Sequence, residues 1–253
     1  MPSSESTSDV AADQFSESFT GSHYNQAAFG VVGNAKCLVP EDAGLRITIS
    51  PPDTENAGLR LPQQLIGDFV ITASVSLLEV PKPAGGHGTG MTILLEDGID
   101  RGASLQRVVM TDGRQVYVTH NYVVTDGKHE HKADIKTTTA TSAVLQLERK
   151  GATLIYRVSE DAGKSFVELH SVNFTLNPIP MTQIYGQTGG AANPLSVRLE
   201  SLTVEADELV RPGQKSKIQD RGKLLIIIVI SLAVLTTAIL LIRRRSRNRN
   251  SEE

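Results

Sequence analysis

The recurrence of an apolar side chain at every second position is the feature of this sequence that most restricts its fold. In the segment GDFVITASVSLLEV, residues 67–80, every second residue from Phe69 to Leu77 is apolar. A period of two places successive side chains on opposite faces of a β-strand, so one face of this strand is predicted to be buried. The same alternation recurs in AVLQLERK, residues 143–150, and in PLSVRLE, residues 194–200.

Turn signals separate these runs. The pairs Asp112-Gly113, Asp126-Gly127 and Lys150-Gly151 and the triplet Asp161-Ala162-Gly163 are residues that favour tight hairpins. No convincing amphipathic helix pattern interrupts them. We therefore predict an all-β antiparallel sandwich over residues 15–209, with about ten to twelve strands, which suits a large jelly roll better than a small immunoglobulin-type domain.

Charge and cysteine content give no sign of a nucleic-acid-binding, disulfide-stabilised or thiol-dependent protein. The formal net charge is -3, which gives no global indication of nucleic-acid binding. Cys37 is the single cysteine, so an intrachain disulfide is impossible. No motif near Cys37 supplies a base that would activate a thiol, and we predict that Cys37 is a small buried apolar side chain.

The two ends of the chain differ in composition from the β-region. Residues 1–14 are rich in Ser, Asp and Glu and are predicted to be disordered. Residues 210–223 form a polar, basic linker. Residues 224–242, LLIIIVISLAVLTTAILLI, carry no charge and would span roughly 28 Å as a helix, so a transmembrane helix in a lipid bilayer is predicted. Residues 243–253 form an Arg-rich tail.

The charges that flank the apolar segment bear on its orientation. The arginines between Arg243 and Arg249 directly follow it, and the positive-inside rule then places this tail in the cytoplasm and the β-domain outside. Basic residues between Arg211 and Lys223 flank the other end of the segment, so the difference in positive charge between its two ends is smaller. The N-terminus also lacks the basic and apolar regions of an ordinary signal peptide, which favours a tail-anchored cytosolic domain instead. The extracytoplasmic placement is our expectation, and the orientation stays open.

The octapeptide SEDAGKSF, residues 159–166, has the spacing of the Asp-box hairpins of sialidases. The Asp161 carboxylate can accept backbone N–H groups across such a turn, Ser159 can add a local hydrogen bond, and Gly163 can adopt a positive φ. Phe166 is expected to pack under the loop. Sialidase chemistry would further require an arginine cluster, a Tyr nucleophile and the repeats of a propeller, and the sequence has one such box without repeats. We predict a structural turn.

The other candidate sites lack a complete sequence motif. The paired carboxylates of concanavalin-like glycoside hydrolases, spaced E-x-D-x-E, do not occur. The segment LLEDGID is predicted to be a solvated acidic turn, with a weak Ca²⁺ site at Asp97 and Asp100 as the alternative. His129 and His131 in KHEHK would share one face of a strand. Because zinc needs a third protein ligand that the sequence does not identify, we predict an exposed edge strand.

Five stretches resemble, in order, a bacterial, planctomycete-type family of domains of unknown function in the concanavalin A-like (LamG/glucanase) sandwich group. They are FSESFTG (15–21), EDAGLRITIS (41–50), IGDFVITASVSLLEVPKPAGGHGTGMTILLED (66–97), TLIYRVSEDAGKSFVEL (153–169) and QTGGAANPLSVRLESLTVEA (187–206). The resemblance covers nearly all of residues 15–209. It implies a two-sheet jelly roll and no particular activity.

The resulting functional hypothesis is a single-pass, membrane-anchored, non-catalytic binding module for a protein or glycan ligand. The chain has no Trp and five Tyr, a thin supply of rings for sugar stacking, so a protein ligand is at least as expected. The alternatives are a divergent membrane-bound glycoside hydrolase, which needs two carboxylates about 5 to 10 Å apart in a concave face, and a passive structural protein of the envelope. No cofactor is expected, and the oligomeric state stays open.

Overall fold

The computed structural model describes residues 12–21 and 23–218. The chain divides into two compact units, residues 1–212 and 213–253, and the strands described below all belong to the first. The predicted transmembrane helix at 224–242 and the Arg-rich tail lie outside the described residues, as do most of the predicted disordered N-terminus and the last part of the linker. Among the residues that are described, none belongs to a helix that is long and apolar enough to cross a bilayer.

Fifteen β-strands and two short 3-10 helices, Gln26–Ala28 and Ala35–Cys37, make up the described part of the chain. In chain order the strands are β1 (Asp13–Ser18), β2 (Gly30–Val32), β3 (Leu38–Glu41), β4 (Gly44–Ile49), β5 (Ala57–Leu61), β6 (Gln64–Glu79), β7 (Thr89–Glu96), β8 (Arg101–Val109), β9 (Gln115–Thr125), β10 (Lys128–Thr137), β11 (Ser142–Lys150), β12 (Thr153–Ser159), β13 (Val167–Asn173), β14 (Met181–Gln187) and β15 (Leu195–Val210).

The strands form two antiparallel sheets. One has eight strands in the order β13-β12-β11-β6-β15-β4-β3, with β1 also paired to β15. The other has seven strands in the order β10-β9-β8-β7-β14-β5-β2. The all-β, two-sheet prediction is therefore confirmed. The number of strands exceeds the predicted ten to twelve because short edge strands such as β2, with three residues, are too brief to show an alternation of apolar and polar residues.

The alternation found in the sequence corresponds to burial between the sheets. Ile71 of β6 lies opposite Leu147 of β11 and Val204 of β15, and all three are fully buried. From the seven-stranded sheet, Met91 and Ile93 of β7 belong to the same core cluster. Each sheet thus contributes one face to a single core, as the period of two requires.

Cys37 lies at the end of the second 3-10 helix and packs against the core, but it is half-buried and not buried as predicted. Burial, with the charge of Asp53 nearby, raises the pKa of its thiol. The thiolate is therefore disfavoured, and Cys37 has a packing role.

Candidate functional site

The outer face of the seven-stranded sheet carries the most distinctive group of side chains. On β9, Tyr117 belongs to the main core, so the alternating residues Val118, His120 and Tyr122 project from the opposite face. Val118 packs there in a small apolar cluster, with Val108 and Val116, that is separate from the main core. His120 and Tyr122 extend this outer face toward the other end of the strand.

Strand β10 adds two imidazoles to the same face. The register places His131 opposite Tyr122 and His129 opposite Val124. The ring centroids of His120 and His131 are 5.2 Å apart, those of His129 and His131 are 5.7 Å apart, and those of Tyr122 and His129 are 5.4 Å apart. We call these four residues, His120, Tyr122, His129 and His131, the ring cluster.

A direct contact joins two histidines of the ring cluster. Nε2 of His120 and Nδ1 of His131 are 3.0 Å apart, so one ring nitrogen donates a hydrogen bond and the other accepts it. His120 is half-buried, and burial lowers its pKa, an effect that the neighbouring His131 increases. The neutral form of His120 is consequently favoured.

Tyr122 also contacts a carboxylate two strands away. Its hydroxyl donates a 2.7 Å hydrogen bond to Oε1 of Glu96 on β7. Between them, on β8, Gly102 lies opposite both residues, and a Cβ added there would lie 2.1 Å from the Tyr122 ring. Burial, followed by the hydrogen bond to Glu96, raises the pKa of Tyr122. The phenol therefore remains a donor.

A cavity of about 410 Å³ adjoins the ring cluster. The loop between β7 and β8, the ends of β7 and β9 and the start of β10 surround it. Its lining residues are Glu96, Gly98, Ile99, Asp100, Arg101, Tyr122, Val124 and His129. Its volume lies within the range of roughly 300–1,000 Å³ that is common for small-molecule sites. Apolar, aromatic and charged groups thus surround one opening.

A row of polar side chains crosses the middle of the same face. Thr92 Oγ1 donates to Gln187 Oε1 at 2.7 Å, Gln187 Nε2 donates to Gln106 Oε1 at 3.1 Å, and Gln106 Nε2 donates to Ser104 Oγ at 2.9 Å. We call these four residues the polar row. Thr92, Ser104 and Gln187 are buried while Gln106 is half-exposed, so Gln106 is the member best placed to meet a ligand.

The acidic turn differs from its prediction. Asp97 is buried, and its Oδ1 accepts the backbone N–H groups of Ile99, Asp100 and Arg101 at 3.0 to 3.1 Å. Its Oδ2 accepts the side-chain amide of Asn177 at 3.1 Å. The solvated-turn prediction is wrong for Asp97 because this carboxylate holds its own loop together.

The Ca²⁺ alternative at Asp97 and Asp100 does not fit this arrangement. The oxygens of Asp97 already face N–H donors, and a carboxylate oxygen of Asp100 lies 3.8 Å from Nε of Arg101. Within the described ranges, no three His, Cys, Asp or Glu side chains come together as a metal site. The residues of this turn therefore position the loop that borders the cavity.

The octapeptide at 159–166 forms the turn between β12 and β13, on the eight-stranded sheet. Ser159 donates to Asp161 Oδ1 at 2.6 Å, and the Gly163 N–H donates to Ser159 Oγ at 2.9 Å. Gly163 has a φ of +86°. Ser165, which sequence reasoning did not single out, donates its N–H and its hydroxyl to the two oxygens of Asp161. Phe166 is half-buried beside the turn.

Sequence reasoning noticed His129 and His131 but missed His120 and Tyr122. The signal was present, because the Asp126-Gly127 turn pairs Thr125 with Lys128 and thereby fixes the register of β9 against β10. Counting back along the hairpin places His120 and Tyr122 on the same face as both histidines. β10 is exposed along its whole length at the sheet edge, as predicted.

The whole β-region matches a family of unknown function. The family model described as "Protein of unknown function (DUF1583) C domain" matches residues 2–225. No curated protein matches the sequence significantly.

Solved structures share the fold at low sequence identity. A legume lectin-like domain from Entamoeba histolytica has a TM-score of 0.53 and 13% identity, over 79% of this chain and 99% of that one. A structure described with endo-acting O-glycanases that members of the human gut microbiota express to initiate mucin breakdown has a TM-score of 0.57 and 12% identity. The match covers 76% of this chain and 98% of that one. The GH43 protein BlXynB from Bacillus licheniformis has a TM-score of 0.55 and 9% identity, over 81% of this chain and 41% of its own length. These similarities show that the chain shares the β-sandwich fold of these proteins.

Proposed function

This chain belongs to the family of the protein-of-unknown-function (DUF1583) C domain, and from that premise we propose that it is a non-catalytic binding module for a glycan. The observation that carries the proposal is the ring cluster beside the 410 Å³ cavity on the outer face of the seven-stranded sheet. The lectin-like fold supports a binding role, although fold alone assigns no ligand.

The chemistry of the cavity suits a sugar. Tyr122 and His129 present flat ring faces, which pack against the apolar C–H face of a pyranose. Glu96 and Arg101 line the same opening and offer an acceptor and donors to hydroxyl groups. Low aromatic content argued against sugar stacking in the sequence, and most Phe and Tyr rings do lie in the core. The outer face nevertheless combines Tyr122 with three histidine rings.

The names of the similar structures point in the same direction. They are described as a lectin-like domain, mucin O-glycanases and a GH43 protein, all of which concern carbohydrates. The ring cluster on the outer face adds a feature of this chain's own side chains to that likeness of fold.

A glycan array probed with the full chain in mild detergent tests the proposal. Binding is expected to fall by at least about tenfold in Tyr122→Ala, which removes a ring that lines the cavity, and in Glu96→Gln, which removes the charge of a lining carboxylate. Glu168→Gln, an exposed carboxylate on β13 of the other sheet, is the matched control and should bind normally. Absence of any glycan ligand, or equal binding by all variants, would reject the proposal.

A glycoside hydrolase is the second candidate, because Glu96 and Asp100 line the same cavity. Two carboxylates are the minimum for acid/base hydrolysis of a glycosidic bond. Incubating the bound glycans with the protein and measuring released reducing ends separates the two functions. Release that Glu96→Gln abolishes would replace the binding proposal with hydrolysis. A protein captured through Tyr122 in place of a glycan would instead favour a protein ligand.

We also propose that residues 224–242 anchor the module in a membrane, with the sandwich outside and the Arg-rich tail in the cytoplasm. The proposal is supported by the uncharged length of this segment and by the arginines that follow it. The full chain should float with lipid vesicles, and protease added to intact cells should digest the sandwich. Digestion only after cell lysis would reverse the orientation, and failure to float would remove the anchor.

A further inference from the structure

The contact between His120 and His131 joins two strands of the seven-stranded sheet. His131 lies opposite Tyr122, so His120 is its diagonal neighbour across the β9–β10 hairpin. The facing nitrogens, Nε2 and Nδ1, are 3.0 Å apart. In a hydrogen bond between two ring nitrogens one carries the proton and the other accepts it, so an ion that binds between the facing nitrogens would displace that proton.

The separation of these nitrogens also suits a metal ion. Bonds from imidazole nitrogen to a divalent transition metal are about 2.0 Å long. Two nitrogens that lie 3.0 Å apart can therefore both bond to one ion, with a bent nitrogen–metal–nitrogen angle. His131 is exposed and its ring can turn to direct its lone pair at the ion. His120 is half-buried and is held more firmly.

Other groups near the pair are placed differently. His129 stacks on His131 with an angle of 11° between ring planes, so it supports the ring of His131 from the side. Glu96 is engaged by the hydroxyl of Tyr122. Because no group of three potential ligands is found in the described parts of the chain, solvent would complete the coordination sphere.

The number of ligands restricts the metal. Structural and catalytic zinc sites use at least three protein ligands. Among divalent first-row metals, copper(II) binds a given set of nitrogen ligands most tightly, and imidazole suits it. We propose that His120 and His131 form a two-imidazole site for a copper(II) ion that is open to solvent on the outer face of the sheet. The two metal-binding residues belong to the ring cluster but do not line the cavity, whereas the proposed glycan contacts are Tyr122, His129, Glu96 and Arg101, which do.

Copper(II) titration of the full chain in detergent, followed by calorimetry and electron paramagnetic resonance, tests the proposal. We expect one saturable site per chain, hyperfine coupling to two imidazole nitrogens, and weaker binding of zinc(II). His131→Ala should lower copper affinity by at least about tenfold, because it removes one of two bonds to the ion. His129→Ala should retain the site, since its ring stacks without facing the His120–His131 contact.

The double variant His120→Ala/His131→Ala measures copper held elsewhere, including by the other histidines and the amino terminus. Equal binding by this variant and the wild type, or coupling to a single imidazole nitrogen, would overturn the proposal. If His120→Ala lowers the melting temperature, the copper affinity of His131→Ala still tests the site. His131 lies on the exposed edge strand, so its replacement should leave the fold intact. Glycan binding measured with a chelator present shows separately whether the glycan proposal holds.

Discussion

The hydroxyl of Tyr122 on β9 donates a 2.7 Å hydrogen bond to the carboxylate of Glu96 on β7. Strand β8 runs between them, and the ring of Tyr122 lies over Gly102 of that strand. The missing side chain of Gly102 leaves the space that the ring occupies. The position of Tyr122 in the candidate glycan site therefore depends on a glycine that is not among the residues lining the cavity.

Replacing this glycine should disturb the site more than the fold. In Gly102→Ala the new methyl group would lie 2.1 Å from the Tyr122 ring, so the ring must move away from Glu96. We expect glycan binding to fall by at least about tenfold and the unfolding free energy to fall by about 1 to 3 kcal/mol. Array binding and urea unfolding measure the two effects.

Gly30→Ala is the control for this substitution. Gly30 is also a strand glycine of the seven-stranded sheet, but an added Cβ would meet Arg60 at an ordinary 3.7 Å. It should leave glycan binding unchanged. Equal binding by Gly102→Ala and wild type would show that the position of Tyr122 is unimportant.

The buried carboxylate of Asp97 should make part of the stability depend on pH. Burial by itself raises its pKa, but hydrogen bonds from the N–H groups of Ile99 and Arg101 and from Asn177 outweigh this, and the folded-state pKa is lowered. A lowered folded-state pKa contributes stability above the unfolded value of about 3.9, and this contribution is lost as the pH falls through the folded value.

Asp97→Asn should therefore cost about 1 to 3 kcal/mol at neutral pH, because an amide has one acceptor oxygen where the carboxylate has two. Urea unfolding from pH 7 downward should show that the difference in unfolding free energy between variant and wild type becomes smaller below about pH 4. Asp100→Asn, whose ion pair with Arg101 is long and half-exposed, is the control with a small effect. A gap that persists unchanged in acid would contradict this account.

The octapeptide turn should prove structural. Hydrogen bonds from Ser159 and then from the hydroxyl and N–H of Ser165 lower the pKa of Asp161, so it remains charged at neutral pH. In Asp161→Ala we expect faster amide hydrogen exchange at Ser165 and unchanged glycan binding, because the turn lies on the eight-stranded sheet. Asp161→Asn should show a smaller change in exchange. Loss of glycan binding in Asp161→Ala would place the motif in the site.

A buried arginine should contribute more to stability than an exposed one. Arg149 is 1% exposed, donates from Nε to the carbonyl of Gly67 at 2.9 Å and from Nη1 to that of Asn177 at 2.6 Å, and lies 4.7 Å from the ring centroid of Phe69. Arg149→Met leaves these carbonyls without their donor. The unfolding free energy should fall by about 3 kcal/mol, as urea unfolding would measure.

Arg114→Met is the matched control for Arg149. The side chain of Arg114 is 54% exposed and pairs with Asp112 at 2.6 Å. Exposed ion pairs contribute less than about 1 kcal/mol, so this variant should unfold almost as the wild type does. Similar losses in the two variants would mean that burial of the guanidinium is unimportant.

Several features of the molecule could be read directly from the sequence. The alternation in residues 67–80 predicted β6, and every second residue from Phe69 to Leu77 is buried. The lysines and histidines of KHEHK predicted the exposed edge that β10 forms. These predictions succeeded because the direction of a side chain on a strand, and the composition of an exposed edge, depend on residues close together in the chain.

Other features could not be read in this way. LLEDGID has the composition of a solvated turn, but Asp97 is buried because Asn177, eighty residues later, packs against it. The period of two places Arg149 on the same face as Leu145 and Leu147, but the carbonyl groups that pair with its guanidinium come from two distant segments. Burial of a charged group depends on partners that only the folded chain brings near.

The sequence by itself determined that this chain forms an antiparallel sandwich, because the period of each strand fixes which face is apolar, and it indicated a separate apolar segment at 224–242. Only the tertiary structure decided that Glu96 and Tyr122, on strands that are not neighbours, meet across Gly102, and that His120 faces His131. The physical reason is that strand periodicity is local, whereas the position of one strand beside another follows from how the whole core packs.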